Sequence, residues 1–344
     1  MKSYQNNANF VSIIIPCRNE EKYIKKCLDS ILEQDYPKDK MEVLVIDGMS
    51  QDKTRKIIKR YSKKYQFIRL LKNYKKNTNF AFNIGIKKSR GEIVMIMGAH
   101  AGYEKSYITK CVKYLQECGA DNVGGIIKTL PAKDTILAKA ITICLSHPFG
   151  AGNSYFRIGS KEPKWVDTVF GGCYPKKIFQ KIGLFNENLV RSQDIEFNRR
   201  LRKADGKILL APDIISYYYP KDNLGDFFVH NFYDGIWTIY SLKFVKTPLC
   251  LRHYIPLCFV LGFMIIGLLG IFWPIFFWLF LIFLASYCLV ALFFGFQIAL
   301  KQKRTSYIIL LPLAFAARHF GYGLGSLWGL IKFLNYGDKE TKRN

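Results

Sequence analysis

The chain has 344 residues, half of them hydrophobic, with 51 Lys and Arg against 26 Asp and Glu, a formal charge of +25. Such an excess needs an anionic partner. Long apolar runs after residue 250, with no nucleic-acid-binding motif, point to membrane lipids and away from nucleic acid. Nine cysteines, an odd number without a CxxC pair, argue against structural zinc or a disulfide framework and for a reduced compartment. Met1 to Phe10 is polar, so no signal peptide is expected.

Val11 to Ile15 reads as a β-branched strand stopped by Pro16. Cys17-Arg-Asn-Glu20 follows, then Glu21 to Glu33, where Ile24, Leu28, Ile31 and Leu32 recur at helical spacing. Met41 to Ile46 is a second strand and runs into Asp47-Gly-Met-Ser-Gln-Asp52. Ser50 or Asp52 is placed to cap a helix over Thr54 to Tyr65. Phe67 to Leu71 is a third strand, and Asn79 to Lys88, with Asn83 and Gly85, a third helix. Ile93 to Met97, uncharged and bounded by Gly91 and Gly98, reads as a strand buried on both faces. This alternation predicts an α/β fold with a parallel sheet covered on both faces.

Ligands of open α/β sheets bind at the carboxyl ends of the strands. Glu20, Asp47 and Gly98-Ala-His100 all stand there. No GxGxxG or GxxxxGK[ST] loop follows the first strand, which disfavours dinucleotide enzymes and P-loop NTPases. From Gly119 to Phe170 the periodicity weakens and glycine becomes dense. Strands and loops are expected to close over the crevice there, with a helix around Ile136 to Leu145 broken at His147-Pro148. Trp165 to Val169 is a strand leading to Gly171 and Gly172, a pair that permits close backbone approach to a ligand. Asp194 and Glu196 suit the positive end of the helix that begins after Arg191. A carboxylate at that position, facing the crevice, is also placed as a general base. Lys207 to Leu210 and Ile215 to Tyr219 are two further strands.

Asn223 to Val245 is amphipathic and aromatic-rich, suited to a membrane interface or to packing on the domain. Tyr254 to Leu300 contains no Asp, Glu, Lys or Arg. At about 20 residues per span it holds two helices, with a turn at Trp273-Pro274. Lys246 and Arg252 precede it and Lys301, Lys303 and Arg304 follow, so both flanks are expected in the cytosol. A third apolar region, Tyr307 to Leu334, is interrupted by Pro312, Arg318, His319 and several glycines, and reads as spanning or re-entrant. Lys339, Lys342 and Arg343 favour a tail on the inside, with the third segment re-entrant. The expected division is 1–222 cytosolic, 223–253 interfacial and 254–336 transmembrane.

Ile13-Ile-Ile-Pro-Cys-Arg-Asn-Glu20, Ile46-Asp-Gly-Met-Ser-Gln-Asp52 and Asn83-Ile-Gly85 resemble the nucleotide-binding half of the family 2 glycosyltransferases. Gly150 to Arg157, Val166-Asp-Thr-Val169, Gly171-Gly-Cys-Tyr174, Gln193 to Asn198 and His319 to Trp328 resemble the membrane-bound exopolysaccharide branch, typified by the succinoglycan glucosyltransferases. The resemblance implies the GT-A fold: a Rossmann-like, mixed, mostly parallel sheet with flanking helices, here followed by transmembrane helices. It implies that Pro16 and Glu20 flank the nucleotide base, that Asp47 binds it, and that Asn83 belongs to the donor site. It puts Gly98-Ala-His100 at the family's Asp-x-Asp and makes Asp194 the catalytic base, with Gly171, Gly172, Glu196 and Trp237 in the acceptor or diphosphate region. Two departures stand out: Gly98 replaces the first Asp, leaving His100 as the metal-ligand type, and Tyr233 replaces an Arg.

By resemblance, the chain is an inverting transferase, multi-pass in the cytoplasmic membrane. It would move a sugar from a nucleotide-diphosphate sugar to a polyprenyl-diphosphate-linked saccharide in cell-surface polysaccharide synthesis. A divalent metal, Mn or Mg, is the implied cofactor. Two alternatives remain: a polyprenyl-phosphate sugar synthase, which needs no hydroxyl deprotonation, and an inactive sugar-nucleotide-binding membrane protein.

Overall fold

The computed structural model describes residues 8–340. It divides into two compact units, Met1–Lys128 with Tyr155–Tyr218 and Thr129–Ser154 with Tyr219–Asn344. In chain order the first unit supplies β1 (Val11–Cys17), α1 (Ile24–Leu32), β2 (Met41–Asp47), α2 (Thr54–Lys64), β3 (Ile68–Lys72), α3 (Thr78–Lys88), β4 (Ile93–Ile96), β5 (Ala101–Tyr103), α4 (Tyr107–Glu117) and β6 (Asn122–Thr129). The second supplies α5 (Ile136–Ser146) and α6 (Pro148–Ala151). The first resumes with α7 (Tyr155–Ile158), β7 (Lys164–Trp165), β8 (Cys173–Pro175), α8 (Lys177–Lys181), α9 (Gln193–Lys203) and β9 (Ile208–Tyr218). The second ends with α10 (Leu224–Tyr240), α11 (Ile255–Phe272), α12 (Pro274–Gln302) and α13 (Tyr307–Glu340).

One nine-stranded sheet runs β3-β2-β1-β4-β8-β6-β9-β5, with β7 on β9. The β3-β2-β1-β4 half is parallel. β8 runs antiparallel to both β4 and β6, and β9 antiparallel to β5 and β7. Strand periodicity explains why the central strands carry no polar face. Ile13 and Ile15, Val43 and Val45, and Ile93 and Met95 enter one core with Ile24 and Leu28 of α1 and Ile58 of α2. Ile14, Leu44, Ile46, Val94 and Ile96 enter the opposite core with Phe82 of α3 and Phe197 of α9. Both faces are covered, so both alternating sets must be apolar.

The structure corrects several sequence expectations. β1 continues through Pro16, because that residue faces the β4 side and β4 pairs with β1 only from Val11 to Ile14. No ladder donor is lost there. The two strands expected around Pro212 form one, β9, and the strand expected over Trp165 to Val169 is only Lys164–Trp165. Helix α4 lies where no helix was read. Residues 129–154, expected to close over the crevice, group with the helical unit.

Among the described residues of that unit three helices are long and apolar enough to cross a membrane: Leu251–Phe272, Pro274–Gln302 and Tyr307–Asn335. The turn between the first two falls at Trp273, as read. The third is one continuous helix through Arg318, His319 and the glycines, so it offers no reversal for a re-entrant segment. The tail beyond Glu340 and residues 1–7 lie outside the described residues. The amphipathic segment forms α10, which packs lengthwise on α13. Glycines bring the two backbones together. A Cβ on Gly321 would stand 2.8 Å from the Phe228 carbonyl oxygen, one on Gly329 2.5 Å from that of Ile236, and one on Gly325 would overlap the Phe232 carbonyl. The four-residue spacing puts all three on one helix face.

Candidate functional site

Loops leaving β1 and β2 are stitched to each other by reciprocal bonds. The Asn19 amide donates to Ser50 Oγ at 2.9 Å, and the Gln51 amide donates to Asn19 Oδ1 at 2.9 Å. The Glu20 amide donates to Thr54 Oγ1 at 2.7 Å. Asn19 takes a left-handed conformation at φ 56°, which its short amide tolerates. These bonds fix the strand ends and aim Glu20 outward. Asp47 is fully buried below them: it accepts from the Ser50 amide and pairs with Arg55 Nε at 3.2 Å.

At the end of β4 the Gly98 backbone is pinned. Its amide donates to the Tyr103 hydroxyl at 2.6 Å, and the Cys27 thiol donates to its carbonyl at 3.5 Å. Burial, with the Glu20 charge second, pushes the Cys27 thiol up to about 12, so it stays protonated as a donor. His100 follows, with its Nδ1 3.6 Å from Glu20 Oε1 and its ring edge-on to Tyr218 at 5.7 Å. Gly171 and Gly172 lie alongside with φ 70° and 122°. A Cβ on Gly171 would come 2.5 Å from the Ile96 carbonyl oxygen, so both conformation and space require glycine.

Asp194 is the second residue of α9, in the first turn of the helix. Glu196, two residues on, is buried and held by Arg200 at 2.7 and 3.0 Å. Arg200 also donates to the Ile182 and Leu184 carbonyls, so the pair braces the loop before the helix.

Pro16, Glu20, Gly98, His100, Gly171 and Asp194 line a single cavity of about 370 Å³ within the first unit. Asp47, Gly172 and Glu196 are not on its wall, and neither is Asn83. The Asn83 amide donates to the Phe185 carbonyl at 2.9 Å and to Glu187 at 2.8 Å, bracing a loop. Trp237 belongs to the second unit, on α10, with the Lys332 ammonium 5.0 Å from its ring. The sequence reading missed Arg18 and Lys76, the basic side chains on the cavity wall. Arg18 stands inside the Pro-Cys-Arg-Asn-Glu stretch and was legible. Lys76, at φ 61° in a turn, carried no periodic signal.

Among the described residues no three His, Cys, Asp or Glu side chains cluster as a metal group. Glu20 and His100 form a two-ligand set, which fits a cation completed by diphosphate oxygens and water.

The Glycosyl transferase family 2 profile matches residues 12–183. A dolichyl N-acetyl-alpha-D-glucosaminyl phosphate 3-beta-D-2,3-diacetamido-2,3-dideoxy-beta-D-glucuronosyltransferase from Methanococcus voltae is 37% identical over 227 residues, covering 64% of this chain and 70% of its own. The succinoglycan biosynthesis protein ExoA of Rhizobium meliloti is 25% identical over 214 residues, covering 62% of this chain and 64% of its own. The mannosyltransferase PcManGT from Pyrobaculum calidifontis, solved with GDP-Man and Mn2+, matches with a TM-score of 0.61 at 18% identity, over 94% of this chain and 88% of that one. That last likeness speaks for the fold, a GT-A-type α/β sheet followed by apolar helices. A profile spanning half the chain and a relative this similar establish that the protein belongs to glycosyl transferase family 2 and is a glycosyltransferase.

Proposed function

We propose that this enzyme transfers a sugar, with inversion, from a nucleotide-diphosphate sugar to a saccharide on a polyprenyl-diphosphate lipid, in cell-surface polysaccharide synthesis at the cytoplasmic membrane. The observation that carries this is Asp194 sharing one cavity with the β1 and β4 strand ends. Asp194 takes the proton of the acceptor hydroxyl, and its oxygen attacks the anomeric carbon. The bond from that carbon to the diphosphate oxygen breaks on the opposite face, and the nucleoside diphosphate leaves. Arg18 and Lys76 stand at the cavity to offset the leaving charge. A divalent cation held by Glu20 and His100 would supply further neutralisation of the diphosphate. The acceptor class is supported by the name of the Methanococcus voltae relative, a dolichyl phosphate-linked saccharide transferase, and the pathway by the succinoglycan relative. The reading is tested by incubating the purified full chain with labelled nucleotide sugars and a lipid extract. Label entering a phosphate-linked lipid saccharide is the expected result, and no lipid-soluble product from any donor would refute it.

Two expectations follow for the donor site and the topology. A Cβ on Gly98 would meet nothing closer than 3.8 Å, so the backbone there accepts a side chain at its Cβ, and Gly98→Asp is the test. It should tighten donor binding and lower the Mn2+ concentration for half activity, Mn2+ being preferred to Mg2+ where imidazole is a ligand. Undiminished wild-type activity in EDTA would exclude that metal role. The basic loop Lys301 to Arg304 lies between the second and third spans and should be cytosolic, as should the catalytic unit. Lys303→Cys should resist an impermeant thiol reagent in intact cells and react after permeabilisation. Ready labelling of intact cells would reverse the orientation.

A further inference from the structure

The helical unit contains a second cavity, of about 330 Å³, that the mechanism above does not use. Arg252 and Arg318 line its polar side, Phe149, Phe259 and Tyr287 its apolar side, and no Asp or Glu is on its wall. Arg318 is well inside the third candidate span, where a charged side chain is costly unless protein or a ligand receives it. It is held by two neutral oxygens, the Gly150 carbonyl and Asn231 Oδ1 at 2.9 Å, which orient the guanidinium without cancelling its charge. Arg252 donates to Asn153 Oδ1 at 3.3 Å. His319, beside Arg318, bonds the Phe149 backbone carbonyl at 2.8 Å and the Tyr287 hydroxyl at 3.0 Å, so the Tyr287 ring is fixed as well.

The depth of the cavity follows from the first span. Ile255 and Phe259, both on its wall, lie in the opening turns of α11, next to basic Arg252. Arg318 and Tyr287, also on the wall, lie nearer the middle of the other two candidate spans, so the cavity runs from the basic end of the first span towards the apolar zone. Two arginines facing an aromatic wall there suit an anion with an apolar tail. Arginine forks bind phosphate oxygens in pairs, and flat rings receive a hydrocarbon chain.

We infer that this cavity binds the phosphate group of the lipid-linked acceptor, with Arg252 and Arg318 on the phosphate oxygens and the aromatic rings against the first isoprene units. The inference rests on the lipid-acceptor reading above. A phospholipid headgroup or free phosphate shares the anionic chemistry, so the test separates them by their tails.

The full chain, purified in detergent, is titrated with farnesyl phosphate, farnesol, inorganic phosphate and phosphatidylglycerol, following thermal stability. Farnesyl phosphate alone should stabilise it strongly. Arg252→Gln, on the short turn Leu251–His253 that opens the first candidate span, should weaken that binding about tenfold or more, as loss of a charge-assisted bond implies. In transfer assays it should raise KM for the lipid acceptor by a similar factor while leaving KM for the nucleotide sugar unchanged. Arg318→Gln also alters the bonds that tie α13 to Gly150 and Asn231, so Arg318→Lys, which keeps the charge and loses the fork, is the second variant and should show an intermediate acceptor KM. Equal farnesyl phosphate affinity in wild type and Arg252→Gln would overturn the inference, as would equal stabilisation by phosphatidylglycerol or inorganic phosphate. Wild-type protein that transfers to no lipid at all would instead refute the acceptor reading itself.

Discussion

Asp194→Asn should lower transfer by about 10²–10⁴, the usual range for losing a general base, with donor affinity nearly intact. Asparagine keeps the shape and cannot take the hydroxyl proton. The informative partner is Glu196→Gln, because the two carboxylates share the first turn of α9 and differ in surroundings. Asp194 is on the cavity wall, whereas Glu196 is buried and clamped by Arg200. Glu196→Gln should therefore lower thermal stability, by about 1–3 kcal/mol for a weakened buried charge-assisted pair, and spare the turnover of what remains folded. Donor titration, melting curves and single-turnover rates on both variants decide the matter. Equal catalytic losses, or a loss of donor affinity in Asp194→Asn, would make Asp194 a helix-start residue and no more.

Gly325→Leu should prevent recovery of a stable full-length protein. Its new side chain would have to occupy the space of the Phe232 backbone on α10. Backbone cannot turn aside as a side chain can, so the helices must part. Parting also separates the neighbouring close approaches at Gly321 and Gly329. Overpacking usually costs about 1–3 kcal/mol where side chains can yield, and this site lies at or beyond the upper end. Gly262→Ala is the control: nothing lies within 4 Å of a Cβ there, and alanine is the better helix former. Gel filtration and melting of the detergent-solubilised variants measure the difference. Gly325→Leu eluting and melting like wild type would mean that α10 and α13 do not pack as described.

The parallel half of the sheet was legible because three of its strands carry unbroken apolar runs, Ile13–Ile15, Val43–Ile46 and Ile93–Ile96, with helical segments between the strands. The antiparallel half was not. β8 is three residues long, and its place between β4 and β6 is set by partners about 80 and about 50 residues away rather than by local pattern. At the site, strand-end residues were readable by position, but their roles depend on what covers them. Asp47 looks like a ligand group in Asp47-Gly48, yet Arg55, the second residue of α2, already pairs with it. The glycines of α13 misled in the other direction. Read alone they interrupt a helix, and only the facing helix shows the regular spacing to be a packing surface.

The insertion of β8 beside β4 has a consequence for the order of synthesis. Until Cys173 to Pro175 has been made, β4 is an uncovered edge of four apolar residues, Ile93–Ile96. Ribosomes add about 5–20 residues per second, so roughly 80 residues of waiting leave that edge open for about 4–16 s. During this interval the helical segment 129–154 emerges, ahead of the spans it joins. Both unfinished surfaces are sticky, and neither can be completed from the chain already made. The nascent protein is therefore most dependent on chaperones between the appearance of Ile96 and that of β9. Slowing elongation in that window should increase aggregation more than slowing it after Leu251, when the sheet already has all its strands.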